Sequence, residues 1–82
     1  MKKEITLDKL KIGEVAKVIS VNNTGSIRRR LLDIGFIPGT LVTAILSSPF
    51  KDPIAYKIKN AQIAIRKCDS KYIVVEVLWK RK

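Results

Sequence analysis

The chain contains no histidine and a single cysteine in 82 residues. Without imidazole, general acid–base chemistry near neutral pH loses its commonest side chain. Ser-His and Cys-His nucleophile pairs are excluded outright. A zinc centre of several thiolates and imidazoles is excluded too, because Cys68 is the one soft ligand available. A lone thiol closes no internal disulfide, which fits a reducing compartment. The four glycines, Gly13, Gly25, Gly35 and Gly39, are too scattered to make a phosphate-cradling loop. This inventory argues against an enzyme. No run approaches the roughly 20 apolar residues that span a bilayer, and residues 1–4 lead into no apolar segment of a signal peptide. A cytoplasmic protein is expected.

Acidic residues are scarce as well. Seven acids face seventeen bases, for a formal net charge of +10. Such a balance attracts anionic partners, whether nucleic acid, anionic lipid or an acidic protein face, and does not choose among them. The charge is spread along the chain; its one tight internal cluster is Arg28, Arg29 and Arg30. A length of 82 residues with 46% hydrophobic content predicts one small globular domain, residues 1–82, with a core over about 7–78 and a basic tail at 79–82.

The most informative stretch is 27–42. Ile27, Leu31 and Ile34 recur at i, i+4 and i+7, one face of a helix. Gly35 follows the last of them, where a helix commonly ends in a left-handed residue. Pro38 and Gly39 suit the central positions of a type II turn, and the period then changes to two. Either Thr24 or Ser26 is placed to cap the helix. At about 100° per residue, Leu32 lies roughly 140° from Ile27, beside Arg28 and Arg29. That arrangement reads either as a contact surface or as a solvated face with Leu32 tucked under a loop.

Around this helix the pattern is β. Residues 1–5 are expected to fray, and Thr6 to cap a short turn over 7–10. Strands are expected over 15–21, 40–47, 54–59, 62–66 and 72–78. The 54–59 segment alternates most cleanly, with Ile54, Tyr56 and Ile58 on one face. Asn60 and Ala61 form the turn of a hairpin. Residues 67–71 are a short link in which Cys68 is expected to pack as a small, partly buried hydrophobe. Phe50, in a loop flanked by Pro49 and Pro53, either folds onto the core or anchors a partner. About five short strands and one brief helix predict a small, mostly antiparallel barrel, and both SH3-like and OB-like versions fit.

The sequence Arg29-Arg30-Leu31-Leu32-Asp33-Ile34-Gly35-Phe36-Ile37-Pro38-Gly39 resembles the signature of the ferrous iron transport protein A (FeoA) family. Pro49 with Asp52-Pro53-Ile54-Ala55-Tyr56 resembles a second motif of that family, and Ile63-Ala64-Ile65-Arg66-Lys67 a third. The resemblance implies an SH3-like barrel and a cytosolic accessory role in bacterial Fe(II) uptake. The implied partner is the membrane transporter FeoB, through its cytosolic nucleotide-binding region, which would bring the protein peripherally to the inner membrane. Together with the helix geometry it points to partner contacts at Arg28, Arg29, Leu32, Phe36, Phe50 and Lys51. The positive charge also suits an anionic membrane surface. Family labels extend to transition-metal binding, Fe(II) included, yet the best ligand pair in this chain is Cys68 with Asp69, which alone would bind weakly; no cofactor is expected. The alternative to the interaction module is a basic nucleic-acid-binding barrel. It is disfavoured because Phe36, Phe50, Tyr56, Tyr72 and Trp79 do not gather into one stacking platform.

Overall fold

The computed structural model describes residues 3–47, 49–59 and 61–80. Helix α1 spans Gly25–Ile34 and stops at Gly35, whose φ of 129° is left-handed. The Gly35 N–H donates to the carbonyl oxygens of Leu31 and Leu32 at 3.2 and 3.1 Å, satisfying carbonyls that a helix end leaves orphaned. The Thr40 N–H then donates to the Ile37 carbonyl at 3.0 Å across Pro38 and Gly39, with Gly39 at φ 97°, as a type II turn requires. Thr24 occupies the N-cap position, but its hydroxyl makes no capping bond.

The strands are β1 (Lys3–Thr6), β2 (Val15–Val21), β3 (Leu41–Ser47), β4 (Ile54–Ile58), β5 (Ala61–Ile65) and β6 (Ile73–Trp79). They form one antiparallel sheet in the order β1-β6-β2-β3-β4-β5. Five of them match the strands expected from alternation to within a residue at either end. The sixth, β1, replaces an expected frayed end: Lys3 lies opposite Val77 and Thr6 opposite Val74. Four mostly polar residues carry no strand pattern of their own, and it is the free edge of β6 that recruits them. Thr6 precedes a 3₁₀ turn, Leu7–Lys9, without a side-chain cap bond. Of the turn expected at Asn60 and Ala61, Ala61 instead opens β5 opposite Ile58, while Asn60 lies outside the described residues; Lys59 before it has φ 53°.

The imperfect alternation of β2 has a physical cause. Its register against β6 shifts between Val18 and Ser20. A bulge of this kind re-aims the side chains beyond it. Ala16 and Val18 are buried before the shift and Val21 after it, so the core side changes parity. A further shift, between Ala44 and Leu46 of β3, leaves Ala44 buried and Leu46 exposed.

The core gathers Leu7, Val18, Val42, Tyr56, Ile58, Ile73 and Val75, all fully enclosed, with Phe36. Tyr56 brings a polar atom into this interior. Its hydroxyl donates to the Leu7 carbonyl at 3.3 Å, tying β4 to the 3₁₀ turn. Burial pushes the Tyr56 phenol up to about 12; the Ser70 hydroxyl partly offsets this, and the Asp8 and Asp52 carboxylates add to it. The buried Glu76 of β6 is met by Lys17 of β2 at 3.6 Å.

Candidate interaction surface

Helix α1 buries Leu31 and, in part, Ile34 of the stripe its spacing predicts, and leaves the first member, Ile27, outside. Leu31 is its buried residue at 4% exposure, with Leu32 and Ile34 partly buried against the core. Ile27, expected to face inward, is 40% exposed. The helix is rolled toward the Leu32 side, since Gly35 and Phe36 fix its C-terminal end while its first turn stands clear of the sheet. Leu32 is therefore half-buried, and its remaining surface borders a shallow depression with Gly25, Arg28, Arg29 and Asp33. Arg28, Arg29 and Arg30 are all exposed and make no ion pair among the described residues.

Phe36 is a correction to the expected contact set. It is 0% exposed and belongs to the core. Its N–H donates to the Leu31 carbonyl at 3.0 Å, so the ring is turned in as the chain leaves the helix. Phe50 does the opposite. It is 89% exposed at the tip of the β3–β4 connection, which excludes the folded-back alternative. The base of that connection is tethered, because the Lys67 N–H donates to Asp52 Oδ1 at 3.0 Å. Lys51, beside the phenylalanine, has φ 64°. A large ring in water gains nothing in stability from its position and offers apolar area to a partner.

These residues do not converge on one pocket. Arg28, Arg29 and Leu32 share a depression, whereas Lys51 borders another with Lys11 and Lys67 above Leu10, Ile12 and Ile54. The expected surface is thus two separate patches, one on α1 and one around the Phe50 tip, without Phe36.

Cys68 and Asp69 fall in α2 (Lys67–Ser70). Cys68 is exposed, not partly buried as expected, because the single helical turn points it away from the sheet. Asp69 is half-buried, and its backbone carbonyl accepts from Asn23 Nδ2 at 2.9 Å. Among the described residues no three of His, Cys, Asp and Glu come together. One thiolate and one carboxylate are too few for a three- or four-ligand transition-metal centre, so the residues present do not fit a tightly held metal.

One feature of the surface escapes a reading by residue type. Between α1 and β5 lies a cleft of about 450 Å³, bordered by Ile27, Arg30, Leu31, Pro53, Ile63 and Arg66. Its lining draws on all three quoted motifs: Arg30 and Leu31 from the first, Pro53 from the second, Ile63 and Arg66 from the third.

A curled antiparallel sheet of six short strands with one helix between the second and third is the architecture of an SH3-like β-domain. The chain matches the FeoA domain family model over residues 5–77, and it belongs to the FeoA family. A fusion protein of Fe(2+) transport protein A with the Fe(2+) transporter FeoB from Porphyromonas gingivalis is 32% identical over 72 residues, which cover 88% of this chain. Those residues span only 8% of that relative's length. The solution structure of a FeoA-like protein from Clostridium acetobutylicum superposes with a TM-score of 0.85 at 33% identity, covering all of this chain and 95% of the other. The crystal structure of Stenotrophomonas maltophilia FeoA, a prokaryotic SH3 domain protein solved in complex with zinc, gives a TM-score of 0.78 at 29% identity, with 87% and 88% covered. Among the described residues no helix is long and apolar enough to cross a membrane.

Proposed function

We propose that this chain is a non-catalytic, cytoplasmic accessory protein of bacterial ferrous iron uptake, folded as one domain. It acts by docking on the cytosolic nucleotide-binding region of a FeoB-type transporter. The observation that carries this reading is the P. gingivalis relative, in which a domain like this one and the transporter share a single polypeptide. Covalent linkage raises the effective concentration of two modules that work together. The surface supports the same reading. Phe50 supplies an exposed aromatic anchor, and Arg28 and Arg29, which have no ion pair among the described residues, supply steering charge with Lys51. The net charge of +10 also favours residence near an anionic inner leaflet.

Titration calorimetry at physiological salt tests the proposal, with the purified cytosolic region of FeoB as one ligand and duplex DNA as the other. Saturable binding to the transporter region and only salt-labile binding to DNA is the expected result. Saturable DNA binding at that salt, with none to the transporter region, would overturn it in favour of a nucleic-acid-binding barrel.

A further inference from the structure

The sheet has two free edges among its described residues, β1 and β5, since neither pairs with the other or with a further strand. Free edges invite another chain to pair, and proteins blunt them with charge, proline or bulges. Strand β1 begins Lys3-Glu4 and follows that rule. Strand β5 reads Ala61-Gln62-Ile63-Ala64-Ile65, with no charge and no proline, and its register against β4 runs without a shift from Ile58–Ala61 to Ile54–Ile65.

The backbone groups that β5 offers follow from its register. Ile58 and Ala61 lie opposite each other with two residues between them. Strands joined by so short a connection close on a hydrogen-bonded pair, and bonded and non-bonded pairs then alternate. Tyr56–Ile63 and Ile54–Ile65 are bonded pairs as well, which leaves Gln62 and Ala64 with their N–H and C=O aimed at the open edge. Both residues are exposed. The cleft toward α1 lies beside this edge, and its volume of about 450 Å³ is within the range of ordinary ligand clefts, roughly 300–1,000 Å³. Its apolar lining comes from Ile27, Leu31 and Ile63, and its charge from Arg30 and Arg66, opposed by the one acid Asp69.

We infer that β5 is a docking edge: an extended segment of the transporter's cytosolic region, carrying acidic and apolar residues, adds to the sheet as a seventh strand. The inference rests on the FeoB reading above and says how that partner is held. Backbone pairing with Gln62 and Ala64 supplies main-chain hydrogen bonds, and alternate side chains of the guest reach the apolar cleft, the division of labour found where peptides augment sheets. The acidic character of the guest follows from the two arginines, which have no ion-pair partner among the described residues. A second copy of this chain is a poorer occupant, because edge-to-edge pairing would set two such arginine pairs together on chains of net charge +10.

Amide hydrogen exchange on the wild-type chain, with and without the FeoB cytosolic region, tests this directly. The Gln62 and Ala64 N–H groups should exchange freely alone and slow at least about tenfold in the complex, as newly bonded amides do. Ala64→Pro removes one outward donor at a position where an edge strand tolerates proline, and Arg30→Glu reverses one rim charge on the exposed helix; each should weaken binding about tenfold. Binding of wild-type strength with protection confined to 28–32 and 49–53 would overturn the edge docking while leaving the FeoB reading intact. No binding at all would overturn both. Protection at Gln62 and Ala64 that rises with protein concentration alone would overturn the acidic guest in favour of self-pairing.

Discussion

Residues 35–40 and 49–53 each place a phenylalanine in a short connection with proline, yet Phe36 is wholly buried and Phe50 is 89% exposed. The difference lies in what the backbone around each ring is bonded to. The first segment is stitched to two elements. Phe36 donates to the last turn of α1, the Gly39 N–H donates to the Val18 carbonyl at 2.8 Å, and the Val18 N–H to the Thr40 carbonyl at 2.8 Å. With both ends fastened to helix and strand, the ring between them has only the interior to enter. The second segment is tethered near one end, by Asp52 to α2, and its tip extends past the end of the sheet. An aromatic residue next to proline is thus core or surface according to long-range bonds that its local sequence does not carry.

The largest effect that would break this comparison is on stability. Phe36→Ala should cost about 3–5 kcal/mol, the usual toll for emptying a fully enclosed aromatic site, measured by urea unfolding. A cost below about 1 kcal/mol would mean that the turn holds itself without the ring. Next comes the polar atom inside the core. Tyr56→Phe should cost about 1 kcal/mol by deleting the bond to the Leu7 carbonyl. The same variant sharpens the pH dependence. Native Tyr56 keeps its proton up to about 12, whereas the unfolded chain releases it near 10.0. The native state then binds more protons through that window, so this contribution is complete below pH 10 and is lost as pH rises toward 12. Tyr56→Phe should flatten that alkaline decline in a pH series of melting curves. The smallest stability effect belongs to Phe50→Ser, within about 0.5 kcal/mol for so exposed a side chain, and yet it should weaken binding to the FeoB cytosolic region about tenfold.

Much of the architecture was legible because it rests on period and on turn chemistry. The strand at 54–58 and the helix stop at Gly35 were carried by local patterns, and so was the Pro38–Gly39 turn. What was not legible depends on partners distant in the chain. Strand β1 exists because β6 has a free edge, and the switch of faces in β2 comes from a bulge defined by the register with β6. The roll of α1 that half-buries Leu32 and exposes Ile27 is set by how Gly35 and Phe36 fasten its end. The same limit applies to the surface. Helix geometry and the family resemblance picked out the arginines and Phe50, but set Phe36 beside them and did not single out β5, whose outer edge is paired with nothing among the described residues. The contrast between Lys3-Glu4 in β1 and the uncharged β5 becomes meaningful only once both are known to be edges.

The central claim is that this domain works by being held against the transporter. The most direct measurement is a backbone amide titration of the isotope-labelled chain with the FeoB cytosolic region at physiological salt, with duplex DNA as control. Saturable shifts that gather on 27–32, 49–53 and 61–66, with none from DNA, are the expected result. Saturable shifts from DNA under those conditions, and none from the transporter region, would contradict it.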